Sequence, residues 1–154
     1  MKASSGSSRR ARSAALGPAV RNVEQPFTNL RFHVAIDGVA STRAVEVVFP
    51  TARIVTLPRK RRAVQFDALV IRRGLTLATD WYAWWDQARR STRDQRRNVQ
   101  VILLDSTGAV ARRWIFPDSV PLTYSLSPLN ALVGAAVIES LELRAGGFRL
   151  YEAE

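Results

Sequence analysis

The sequence predicts a mainly β (α+β) domain with one packed amphipathic helix, and three observations carry that prediction. Several short segments alternate apolar and polar residues with a period of two and end at Gly, Pro or Asp-Gly signals. One stretch, TDWYAWWDQARR (79 to 90), keeps a period near 3.6 instead. Finally, 154 residues with 47% hydrophobic and 23% charged content fit one globular domain with its own core.

The chain opens on a low-complexity basic segment, read as an arm over 1–28, ahead of a domain over 29–150 and a short tail over 151–154. In LRFHVAIDG, Phe32, Val34 and Ile36 alternate with Arg31, His33 and Ala35, as in a half-buried strand that turns at Asp37-Gly38. His33 then points away from the apolar set, as a surface or interface residue. AVEVVF reads as a second strand stopped at Pro50, because proline cannot donate to a ladder. TARIVTLPRKRRAV ends in the cluster Arg59, Lys60, Arg61 and Arg62, which reads as a solvated loop or, alternatively, a phosphate contact.

VQFDALVIRRG follows as one strand closed by Gly74. VQVILLD and VARRWIF flank Ser106, Thr107 and Gly108, short turn formers that favour an antiparallel hairpin. PLTYSLSPLNALVG is ambiguous between strand and loop, and AAVIESLELRAGGF supplies a further strand broken by Gly146-Gly147.

The helix brings three of the four tryptophans together. Thr79 is the expected N-cap, with Asp80 at the positive end and Arg89 and Arg90 at the negative end. Trp81, Trp84, Trp85 and Ala88 stand at i, i+3, i+4 and i+7, one stripe of a helix. Stacking platforms for bases interleave aromatics with basic residues on an exposed sheet or groove. Here the rings share one face and the arginines gather at the helix end, so packing into a core is the favoured reading.

Composition also narrows the chemistry. The absence of cysteine excludes disulfides, thiolate metal sites and thiol nucleophiles, and His33 is the only histidine. No phosphate-binding, zinc-protease or serine-hydrolase motif occurs, and no catalytic, cofactor-binding or metal residues are assigned. No apolar run reaches the roughly 20 residues that cross a bilayer as a helix, and no membrane partner is expected. The formal charge of +10 points to a polyanion, yet residues up to 22 hold half of it without a single acid. The basic connection RRSTRDQRRN lacks aromatics, so it reads as a soluble link, with a basic β-barrel nucleic-acid-binding module as the alternative.

Taken in order, FHVAIDGV (32 to 39), LVIRRGLTLATDWYAWWDQA (69 to 88), RNVQVILLDSTGAVARRWIFPDSVP (97 to 121), LNA (129 to 131) and VIESLELRAGGF (137 to 148) resemble the tail tube proteins of contractile phages and phage-derived injection systems. These are related in architecture to the type VI secretion tube protein. The resemblance implies a small antiparallel β-barrel or sandwich with one packed helix. It further implies a structural, non-enzymatic subunit that forms homohexameric rings stacked into a hollow tube. Sheath, baseplate and terminator proteins would be its partners, and DNA or protein effectors its cargo. It would assemble in the cytoplasm and end in a virion tail or injection particle.

Two expectations about assembly follow. Strands through Val64, Phe66, Ala68 and Val70 and through Ile138, Leu141 and Leu143 are candidates for pairing between subunits, because an unpaired edge invites closure into a ring. The loop bearing Arg59, Lys60, Arg61 and Arg62 is the candidate for stacking one ring on the next. Relatives carry a longer, glycine-containing loop there, and the compact FPTARIVTLPRKRRAV leaves room for a specialised tube-initiator ring near the baseplate.

Overall fold

The computed structural model describes residues 26–28, 31–40, 42–91, 93 and 95–152. Nearly all of the predicted basic arm therefore lies outside the described residues, as do Asn29, Leu30 and Asp94.

Among the described residues, nine strands and one α-helix follow one another as β1 (Phe32–Ile36), β2 (Ala44–Val48), β3 (Ala52–Thr56), β4 (Arg62–Phe66), β5 (Leu69–Gly74), α1 (Asp80–Arg90), β6 (Arg97–Leu104), β7 (Val110–Leu126), β8 (Ile138–Arg144) and β9 (Arg149–Glu152). The main sheet runs β1-β6-β7-β8-β5-β2 with β9 beside β7, and every pairing is antiparallel. β3 and β4 form a separate two-stranded sheet.

The 17 residues of β7 serve both halves of the main sheet. Val110 to Ser119 pair with β6, Arg112 to Ile115 pair with β9, and Val120 to Leu126 pair with β8. At the junction come Pro117 and Asp118, the latter in the left-handed region at φ 51°, with register shifts at Arg97/Val99 in the β6 pairing and at Pro121/Thr123 in the β8 pairing. Prolines that interrupt a sheet are tolerated where the ladder bends. Here they mark the corner at which one strand passes from one partner set to the other.

The alternation read in the sequence builds the core. Val34 and Ile36 of β1, Val99 and Val101 of β6, Leu69 and Ile71 of β5, and Leu141 and Leu143 of β8 are all buried, with Phe116, Trp81 and Trp84. The DSTG turn is fixed by Asp105, whose Oδ1 accepts from the Thr107 N–H at 2.9 Å and the Ala109 N–H at 3.0 Å. Gly108 takes φ 87°, a conformation that a side chain would strain.

Several expectations change. The strand predicted as a unit from Val64 to Gly74 is two strands separated at Asp67 and Ala68, because β4 pairs with β3 whereas β5 pairs with β2 and β8. The predicted tail begins inside β9, so residues 151 and 152 belong to a strand on β7. Thr79 stands at the N-cap but makes no side-chain capping bond, and the Asp80 carboxylate accepts from the Trp81 N–H at 3.0 Å instead.

Candidate assembly surfaces

Helix α1 is fixed by charge as well as by packing. Leu69, Ile71 and Arg73 share the inward face of β5, and Glu139, Leu141 and Leu143 share that of β8. The two charged residues thus meet across the β5–β8 ladder, where Arg73 and Glu139 are paired in register. Arg73 is 4% exposed and Glu139 1%. The Arg73 guanidinium donates from Nε to Glu139 and from a terminal nitrogen to Asp80 at the start of α1. It also lies 4.2 Å from the centroid of the Trp81 ring.

Tyr124 on β7 closes the group by donating its hydroxyl to Glu139 Oε2 at 2.8 Å. Burial, and then this bond to a carboxylate, push the Tyr124 phenol up to about 12. For Arg73, burial works against the charge, but the hydrogen bonds to Asp80 and Glu139 outweigh it and raise the pKa. The result is a paired cluster, one guanidinium held between two carboxylates, that clamps helix to sheet. Among the described residues no group of three acids or histidines could hold a metal ion.

The aromatic stripe divides in use. Trp81, Trp84 and Ala88 are buried, and the Trp84 indole donates to the Gln95 carbonyl at 2.8 Å. Trp85 is half-buried, donates to the Leu122 carbonyl at 3.3 Å, and packs beside Tyr82 and Tyr124. These rings join helix to sheet and do not present a stack of exposed faces.

The surfaces left over are of three kinds. First come strand edges: among the described residues β1 pairs with β6 alone, β2 with β5 alone, and β3 and β4 with each other alone. β5 and β8 each pair on both sides. Inter-subunit pairing along Val70, Ile138, Leu141 and Leu143 is therefore corrected, since their backbone groups are already used within the chain and Leu141 and Leu143 are core. Val64 and Phe66 keep a free edge on β4, and Ala68 lies in the connection after it.

The second is the β3–β4 hairpin. Ile54 and Val64 face each other across it, 70% and 57% exposed. Its tip is a short 3₁₀ turn, Pro58–Lys60, in which Arg59 and Lys60 take positive φ of 65° and 56°. Arg59, Lys60, Arg61 and Arg62 are all exposed there, and none forms an ion pair with a described acid.

The third is the connection from Ser127 to Val137 between β7 and β8, which contains no charged residue. Its base is clamped: the Ser127 N–H donates to the Ile138 carbonyl, the Ile138 N–H donates to Ser127 Oγ, and the Leu75 N–H donates to the Val137 carbonyl, each at 2.8 Å. The Asn130 side chain accepts from the Leu132 N–H at 2.9 Å, which turns the tip outward. Leu129 and Leu132 are left 82% and 96% exposed. Sequence reading did not single out this loop as a site; the signal was that it lies in a run of twenty uncharged residues, Ser119 to Ile138, in a basic chain.

Residues 28–149 match the family model described as T4-like virus tail tube protein gp19. Solved structures share the fold. A chain of the 6-fold symmetrised anti-feeding prophage baseplate is 20% identical, with a TM-score of 0.62 over 83% of this chain and 97% of that one. A chain of the PVC extracellular contractile injection system sheath–tube complex in its extended state is 14% identical, with a TM-score of 0.65 over 85% and 95%. Hcp1 from Flavobacterium johnsoniae is 12% identical, with a TM-score of 0.60 over 79% and 95%. No curated protein matches the chain in sequence.

Proposed function

Because the chain belongs to the T4-like virus tail tube protein gp19 family, we propose that six copies of it close into a ring and that such rings stack into the inner tube of a contractile phage tail or phage-derived injection system. The central channel passes DNA or protein effectors. Sheath, baseplate and terminator proteins are the partners, assembly takes place in the cytoplasm, and the subunit works as a structural element without catalysis of its own. The observation that carries this reading is the family match across residues 28–149. It is supported by free strand edges on β1 and β2 and by exposed apolar side chains on two separate connections.

In this reading the β3–β4 hairpin makes the contact between rings. Among the described residues its strands pair only with each other, and an isolated two-stranded hairpin is marginal in water. A neighbouring ring would cover Ile54 and Val64 and supply acids or solvent to Arg59, Lys60, Arg61 and Arg62. The compact hairpin also supports a narrower version, a tube-initiator ring beside the baseplate.

Size-exclusion chromatography with light scattering, together with negative-stain imaging of the full chain, tests the reading. Six-membered rings or tubes at both low and high salt are expected. A monomer that changes size only when DNA is added would replace it with a basic nucleic-acid-binding module.

A further inference from the structure

The two halves of the main sheet turn outward faces of different chemistry away from the core. In the half built from β2, β5, β8 and the end of β7, the outward residues Glu46, Arg72, Ser140 and Ser125 stand in register across four strands. Arg72 donates to Glu46 at 2.6 Å and to Ser140 at 3.2 Å, so its charge is matched within the row. In the half built from β1, β6, β7 and β9, two rows alternate with the core positions Val34, Val101 and Trp114. One row is His33, Ile102, Arg113 and Tyr151, and the other is Ala35, Gln100, Ile115 and Arg149.

Neither of these two rows contains an acid. His33, Arg113, Arg149 and Tyr151 are exposed, and neither arginine forms an ion pair with a described acid. Arg31 extends the face, since the Leu104 N–H donates to its carbonyl at 2.9 Å and its side chain is exposed. Asp37 and Asp105 come just past the ends of β1 and β6, and Glu152 is in register with Arg112 and not with either row. The same chain thus matches the charge on one sheet face and leaves it unmatched on the other.

We infer that this outward face of β1, β6, β7 and β9 binds single-stranded nucleic acid, with Arg113 and Arg149 on phosphates and the Tyr151 ring against a base. The face carries arginine and no lysine, and the planar guanidinium fork fits phosphate oxygens with paired donors. Tyr151 stands in register with Arg113 and two residues after Arg149, so cations flank its ring along and across the strands. An exposed aromatic set among cations on an open sheet is the arrangement that holds unpaired bases, which the enclosed tryptophans of α1 are not. In a duplex the base faces already cover one another, so the tyrosine favours the single strand. The inference goes beyond the tube reading and does not depend on ring closure.

Fluorescence anisotropy of a labelled oligothymidylate with the full chain, over a salt series, tests it. Changing Arg113 and Arg149 together to Gln should weaken binding at least tenfold and reduce the salt slope by about 1.4, the loss of two phosphate contacts on a single strand. Tyr151→Ala should weaken it at least fivefold with the slope unchanged, and Tyr151→Phe, which keeps the ring, should bind as wild type does. Arg93→Gln with Arg96→Gln removes the same charge from the exposed basic connection and should cost less than threefold. Circular dichroism and light scattering on each variant should match wild type, because all these positions are exposed.

Equal losses in the two double variants, or wild-type binding by Tyr151→Ala, would overturn the inference, because charge alone would then explain the affinity. A duplex that competes as well as the unlabelled strand would also overturn it, and polyglutamate competing equally well would assign the face to an acidic protein. Any of these results with rings still present leaves the tube reading standing. Rings that never form, with strand binding retained on this face, would remove the tube reading alone.

Discussion

Helix α1 and the β3–β4 hairpin carry the same kinds of residue, large apolar side chains and arginines, but place them in opposite ways. On α1 the rings of Trp81 and Trp84 are enclosed, and Arg73 reaches over from β5 to bind the helix start. On the hairpin Ile54 and Val64 face outward, and four basic side chains crowd a tip without a described acid beside them. One region has its apolar and charged groups enclosed within the chain, whereas the other leaves them exposed. A subunit built for assembly needs both: a rigid body that folds alone, and projections whose residues are satisfied only by a neighbour.

The sharpest way to break this contrast is Trp84→Ala. A fully enclosed indole that also donates to the Gln95 carbonyl leaves a cavity and an unpaired acceptor, so the loss should be about 3–5 kcal/mol in chemical denaturation. A loss under about 1 kcal/mol, with the fold retained, would mean that α1 does not anchor the body.

Glu139→Gln comes next. It keeps the shape but removes the charge that Arg73 and Tyr124 share, at a cost of about 1.5–3 kcal/mol, since Asp80 still holds the guanidinium. The pH dependence carries a sign of its own. The Tyr124 phenol is raised in the folded state, so its contribution is fully present below the ordinary tyrosine value near 10 and is lost as pH climbs through about 12. Wild type should lose stability over that interval, and Tyr124→Phe should flatten the slope. Equal alkaline slopes in the two proteins would remove Tyr124 from the cluster's energetics.

The smallest effect on the folded chain is expected at the hairpin. Changing Arg59, Arg61 and Arg62 together to Glu should alter monomer stability by within about 0.5 kcal/mol, because none packs in the core. The same change should abolish stacking between rings while sparing each ring. Native mass spectrometry with imaging separates the outcomes: rings without tubes agree, monomers move the hairpin to the ring interface, and unchanged tubes leave it as a solvated turn.

The contrast also explains what could be read from residue order. The α1 stripe, the β1 alternation and the DSTG hairpin depend on neighbours in sequence, and each stands where its spacing places it. The Arg73–Glu139 pair is legible in each strand as a charge on the inward parity, beside Leu69 and Ile71 or Leu141 and Leu143, but that the two charges meet depends on the pairing of β5 with β8, strands far apart in the sequence. The β3–β4 turn gave no such signal. Arg59 and Lys60 occupy left-handed conformations that glycine or asparagine ordinarily marks. Likewise, VARRWIF and the ambiguous PLTYSL read as separate segments, although across Pro117 and Pro121 they form one continuous β7. Which edges stay free is a property of the whole ladder, so β5 and β8 could be seen as interior only once all their partners were placed.

The continuity of β7 has a mechanical consequence. Its hydrogen bonds to β6 and β9 on one side of the corner, and to β8 on the other, run across the strand. A pull along β7 therefore loads many of them side by side instead of peeling them in turn. At Pro117 to Pro121 the stress passes from one half of the sheet to the other through covalent backbone, not through side-chain contacts. A body wired in this way takes a thrust delivered to either half as a thrust on both.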